Sequence, residues 1–153
     1  MPRIELTTAI RAPTGIVFDL ARNIDVHQAS QSQHHEKAVA GRTSGLIQDG
    51  EEVTWEAVHF GVRQRLTSRI VAMRRPTYFR DSMVRGAFKH IDHDHHFEVT
   101  VNGTLMKDTF DYASPCGVLG KFADWLFVER YMRRLLEERN QMLKQLAEAS
   151  CPL

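Results

Sequence analysis

Apolar and polar positions alternate with a period of two over long stretches of the chain, and give way to a helical period near its two ends. Arg3 to Arg11 puts Ile4, Leu6, Thr8 and Ile10 on one face, as in a half-buried strand. Ala12-Pro13-Thr14 ends that strand. A proline near the first helical turn, followed by GIVFDLAR, predicts a short helix, and Asn23-Ile24-Asp25 restarts a second one through VHQAS. From His34 to Gly41 the chain reads as extended, with SQSQHHE around His34 and His35 as an exposed entrance loop. Gly41, Gly45 and Asp49-Gly50 then supply turn signals. In the following stretch Val53, Trp55, Ala57 and His59 share a strand face. Past Gly61, Gln64, Leu66, Ser68 and Ile70 face one way and Arg63, Arg65 and Arg69 the other. Arg74-Arg75-Pro76 leads into TYFRDSM, Gly86 into AFKHIDHDHHFEVT, and Asn102-Gly103 into TLMKDTFDY as a tight hairpin turn.

Ser114-Pro115-Cys116-Gly117 breaks the strand rhythm. From Val118 to Ala149 an apolar stripe runs through Leu119, Phe122, Leu126, Met132, Leu135, Leu136, Leu143 and Leu146 among charged residues, which predicts one long amphipathic helix. A sheet with one apolar face must cover it, and this helix is the element large enough to do so. The expected architecture is α+β, in the order β-α-α-β6-α, with a curved antiparallel sheet of about seven strands wrapped around the C-terminal helix. A bent sheet gripping a helix leaves a gap where the two surfaces diverge, and that gap is a natural ligand pocket. Residues 1–149 are expected to form a single domain and 150–153 a flexible tail.

The length of 153 residues suits one domain with a real core. Twenty basic against nineteen acidic residues leave a formal charge of +1, which offers no field to attract nucleic acid or an anionic membrane. No apolar run approaches the about 18 residues of a membrane span, and MPRIELTTAIRAP lacks the core of a signal peptide, so a cytoplasmic protein without membrane insertion is expected. Cys116 and Cys151 flank the predicted helix, whose rise would hold them about 50 Å apart and out of disulfide reach.

The order of elements, together with IRAPTGIVFDLARNIDVHQAS, AVAGRTSGLIQDGEEVTWEAVHFG, RDSMVRGAFKHIDHDHHF and GTLMKDTFDYASPCGVLG, resembles the START-like (SRPBCC) superfamily of helix-grip ligand-binding proteins, the polyketide cyclase and Bet v 1-like group. Within it the strings look like a bacterial ligand-binding subgroup loosely described as cell-division-inhibitor-like. The resemblance covers almost the whole chain. It implies a hydrophobic cavity between sheet and helix, with lipids, polyketides or other aromatic molecules as ligands and no cofactor. Superfamily members include carriers, sensors, cyclases and chaperone cofactors, so the fold alone assigns no catalysis.

HIDHDHHFE is the most unusual string. On a strand, His93, His95 and Phe97 point one way, which sets two imidazoles about 6–7 Å apart on an interior face. His-x-His on a strand is a metal-ligand geometry, for which His59 and Asp108 are the further candidates by face. The string also brushes the cupin pattern, but its spacings differ and the second cupin motif is absent. The ordinary solution for buried imidazoles is a hydrogen-bonded network with Asp81, Asp108 or backbone, and no metal is assigned. His59, His93, His95 and Asp108 are also the candidates for acid/base chemistry on a bound ligand. Asp81 shares a face with Phe79 and Met83, and Asp108 with Met106, Phe110 and Tyr112, so both carboxylates are expected inside. Trp55, Phe79, Phe88, Phe97, Phe110 and Tyr112 are the aromatic candidates for the pocket wall, joined by Met106, Phe122 and Leu126. His27 is expected in a surface or capping role. Arg139, within the apolar stripe, should lay its stem along the core and place its head on an acidic partner. The expected function is binding of a hydrophobic small molecule by a monomer or homodimer. A cyclase, dehydratase or isomerase using the His-Asp cluster, and a regulatory protein-interaction module, are the alternatives.

Overall fold

A computed structural model describes residues 2–114 and 127–151. Phe122, Leu126, Cys116 and the predicted helix start at Val118 lie outside the described residues. The elements are β1 (Arg3–Ile10), α1 (Thr14–Ala21), α2 (Ile24–Ser30), a single turn of tighter helix at Ser32–His34, β2 (Lys37–Gly41), β3 (Glu52–His59), β4 (Val62–Arg74), β5 (Tyr78–Arg85), β6 (His90–Thr100), β7 (Gly103–Ala113) and α3 (Glu129–Ala149). All seven strands join one antiparallel sheet in the order β1-β7-β6-β5-β4-β3-β2. A meander of β2 to β7 is therefore closed at one edge by the N-terminal strand.

Strict alternation decides which side chains face inward. In β7 every second residue from Thr104 to Tyr112 is buried, and Val53, Trp55 and Ala57 do the same on β3. Register irregularities between Ala38 and Ala40, at Thr67/Ser68 and between Ile70 and Ala72 bend the sheet into a grip. α1 and α2 fill one end of it. Phe18 sets its ring edge-on to Phe79 and Phe97, at centroid distances of 5.6 and 5.4 Å. The Asn23 side chain caps α2 by accepting the Val26 N–H at 3.1 Å. α3 lays Leu136, Arg139, Asn140, Leu143 and Ala147 against the concave face. Its end is tied to β1, where Lys144 Nζ donates to Ala9 O at 2.7 Å, and just beyond it Arg11 N donates to Glu148 Oε2 at 2.9 Å.

Three local expectations change. Gly103 is not a turn residue: it pairs with Thr100 across a Val101-Asn102 loop and opens β7. Its φ is +146°, and a Cβ there would run into Ile10 O where β1 passes over it, so the glycine serves close approach of two backbones. The chain around His34 is a helical turn, with His34 half-buried and Ser32, Gln33 and His35 exposed. Leu146, expected in the apolar stripe, is 39% exposed, and Asn140 takes a place on the buried face for a polar reason described below. Among the described residues, no helix is long and apolar enough to cross a membrane.

Candidate functional site

Register brings the polar floor together. On β6, His93 stands opposite Asp81 of β5 and Phe110 of β7, while His95 stands opposite Phe79 and Asp108. The shortest bond of each imidazole runs diagonally: His95 Nε2 lies 2.7 Å from Asp81 Oδ2, and His93 Nε2 lies 2.9 Å from Asp108 Oδ1. The two rings lie 3.8 Å apart, tilted by 34°, and His95 lies flat on Phe79 at 4.1 Å. Behind them Asp108, whose side chain is 0% exposed, also accepts from Asn140 Nδ2 at 2.7 Å and from Arg139 Nη1 at 3.3 Å, with His95 Nδ1 at 3.2 Å. Arg139 Nη2 reaches Ala21 O at the end of α1, at 3.3 Å. The arginine thus meets the acidic partner expected of it.

These contacts fix the protons. Burial alone would raise the Asp108 pKa, but donation from His93 and His95 and the charge of Arg139 hold it well below the usual carboxylate range. Asp81 is likewise held low, its burial overcome by the His95 hydrogen bond and the nearby positive charge. Burial would lower His95, yet hydrogen bonds to Asp108 and Asp81 outweigh it and raise its pKa. His93 moves the other way, lowered by burial and then by repulsion from His95, against the pull of Asp108 and Asp81. Two carboxylates, the Arg139 guanidinium and His95 thus form one hydrogen-bonded cluster beside His93, with Arg139 Nη2 also 3.4 Å from His95 Nδ1. Mutual pairing of this kind is how such groups survive in a core. Asp81, His93 and His95 do place potential ligand atoms within 4.8 Å of one another. Of the further ligands expected by face, Asp108 is already occupied by donors, and His59 belongs to a different cluster.

The floor opens on a cavity of about 660 Å³ between the sheet and α3. Its walls are mainly apolar, with Trp55, Phe88, Ile91, Met132, Leu135 and Leu136 prominent. Phe60, which lines the cavity while 70% exposed, marks the rim. Beside it Tyr131 and His59 Nδ1 share a 2.6 Å hydrogen bond, and the His34 ring lies 5.6 Å from that of His59, tilted to it. Burial lowers the His59 pKa, opposed by Glu36 and assisted by His34. His27 Nε2 pairs with Glu36 Oε1 at 2.8 Å, and its ring lies 4.4 Å from that of Trp55. His27 therefore lines the cavity rather than capping α2 or facing solvent.

Of the residues singled out from sequence, Trp55, His59, Phe79, Asp81, Phe88, His93, His95 and Phe110 line this cavity. Asp108 sits one layer behind it. Phe97, Met106 and Tyr112 are buried in the core and do not line the cavity. Gln31 and Tyr131 line it without having been expected. Tyr131 stands one helical turn before Leu135, so the helical period carried a signal for it, whereas Gln31 in a polar loop string carried none.

No family model matches the chain, and no curated protein matches it either. Among solved structures, the protein TTHA0849 from Thermus thermophilus is similar over 99% of this chain and 100% of its own, with a TM-score of 0.79 and 19% identity. A START superfamily protein from Mycobacterium smegmatis matches 96% of this chain and 97% of its own at a TM-score of 0.71 and 11% identity. The major latex-like protein 151 from Panax ginseng matches 95% of this chain and 97% of its own at 0.68 and 15%. At these identities the likeness is one of fold, and it extends over nearly the full length of each partner.

Proposed function

We propose that this chain of START-like helix-grip fold binds a hydrophobic small molecule of lipid, polyketide or aromatic type between its sheet and α3. The observation that supports this best is the cavity itself: about 660 Å³, mainly apolar walls, and a polar floor confined to one side. A pocket of that size and character suits a drug-sized molecule, oriented by a few polar groups. Native mass spectrometry of freshly purified protein, followed by titration with an apolar fluorescent dye, tests the reading. A stoichiometric added mass, or saturable dye binding that such a mass competes away, is expected. Absence of both would overturn it.

A second reading is acid/base catalysis on the bound molecule, as in a cyclase, dehydratase or isomerase. It is favoured by one detail, the His93 Nε2–Asp108 hydrogen bond, which orients a neutral imidazole at the cavity wall. Turnover of an identified ligand that His93→Gln and His95→Ala both left unchanged would remove the two histidines from such a role.

A further inference from the structure

The floor of the cavity is one-sided in its hydrogen bonding. Its bonded N–H groups are spent within the protein: His93 Nε2 on Asp108, His95 Nε2 on Asp81, and the two terminal nitrogens of Arg139 on Asp108, the Asn140 side chain, Ala21 O and His95 Nδ1. What remains for a ligand is lone pairs. Asp81 uses Oδ2 for His95, and Oδ1 has no hydrogen-bond partner among the described residues, on a side chain 26% exposed. His93 Nδ1 stands 4.0 Å from Asp81 Oδ2, beyond bonding distance, and it carries no proton because Nε2 donates to ionised Asp108. Buried acceptors without donors cost free energy until something supplies hydrogens.

We propose that the ligand carries a neutral hydroxyl-bearing head, which donates hydrogen bonds to the acceptors of this floor while its apolar body fills the remaining cavity. The inference rests on the binding reading above and names the chemistry that site selects. An anionic head would meet the Asp81 carboxylate with the bonded N–H groups of the floor already spent. A cationic head would have to shed its hydration in a cavity with mainly apolar walls, a larger cost than that of a neutral hydroxyl. Trp55, which offers an N–H, lies on β3, two strands from β5, and the Ser68 hydroxyl can donate or accept, so neither reverses the selection.

The test is calorimetric titration of the full chain with four pyrene probes of one skeleton: hydroxypyrene, its methyl ether, pyrenecarboxylate and aminomethylpyrene. A hydrogen bond to a charged acceptor predicts that hydroxypyrene binds about 10- to 100-fold more tightly than the ether. The carboxylate is expected to bind most weakly. Equal affinities for the hydroxyl and the ether, or tighter binding of the carboxylate or the amine, would overturn the inference and leave the binding reading standing. Failure of all four probes to bind would overturn both. In Asp81→Leu, checked for native circular dichroism, the hydroxyl preference should vanish; a folded variant that kept it would overturn the placement of the head at this floor. The wild-type series alone already decides the ligand chemistry if that variant does not fold.

Discussion

Replacing Asp108 by Asn isolates what the buried carboxylate contributes, because shape is kept while the charge and one acceptor are lost. Asp108 is 0% exposed in its side chain and receives His93, Arg139 and Asn140, with His95 Nδ1 3.2 Å away. Without it, the buried Arg139 guanidinium loses its carboxylate partner and His93 its acceptor. Breaking a buried pair in this way costs about 3–5 kcal/mol. For a chain of this size that corresponds to a fall of about 6–20 °C in the thermal midpoint, at about 2–4 °C per kcal/mol.

The pH profile gives a second, independent readout. In the wild type the folded state keeps a proton on His95 that the unfolded chain releases above about pH 6.5, so stability is lost as pH rises through the raised folded pKa. Asp108→Asn removes one cause of that elevation and should flatten the alkaline limb. On the acid side the wild type loses stability as pH falls through the depressed pKa of Asp108, and the variant should lack that contribution. Urea unfolding followed by circular dichroism across this range measures both effects. A variant within about 1 kcal/mol of wild type, with an unchanged profile, would refute the charge assignment.

Three further outcomes are expected. Ala57→Trp, which pushes an indole into the cavity from a buried β3 position, should weaken apolar dye binding by on the order of tenfold while the circular dichroism spectrum stays native; undiminished binding would move the site elsewhere. Gly103→Ala should cost about 1–3 kcal/mol in urea unfolding, since a Cβ there meets Ile10 O and the backbone is held at positive φ. Exhaustive dialysis against a chelator should leave the thermal midpoint unchanged, because Arg139 already pairs with Asp108 and His95 with Asp81; a fall restored by a divalent metal would contradict that pairing.

Much of the sheet was legible because a period of two is hard to mistake. The inward set on β7 and the pair His93/His95 on β6 follow directly from alternation. Arg139 was legible as well, since a lone charge in an apolar helical stripe needs a buried partner. What the sequence did not carry was register. Which histidine bonds which aspartate depends on the offset between neighbouring strands, and here the shortest bond of each runs diagonally. His59 and the floor histidines share a facing direction, yet β4 and β5 lie between their strands, so facing alone joined groups that the sheet keeps apart. His27 and Gln31 were missed for a related reason: short helices report little about which side meets the body until the tertiary arrangement is known. Leu146 lies nearer solvent than its place in the stripe suggested, and Asn140 is buried because a carboxylate under the helix rewards an amide there more than a methyl group.

The Arg139–Asn140 contact also acts as an index mark for the helix. A stripe of leucines can slide one turn, about 5.4 Å, and still meet apolar surface. Here such a slide would carry the guanidinium away from both Asp108 and Ala21 O and strand a buried anion. The helix therefore has one energetically defined seat. Behind that pin, Lys144 and Glu148 clamp its far half to β1 and the segment that follows; ahead of it, Gln31 Nε2 donates to Leu135 O, and Tyr131 shares its hydrogen bond with His59 at the cavity rim. The helix is thus held on both sides of residue 139, and the wall it lends the cavity through Met132, Leu135 and Leu136 is placed by that seat.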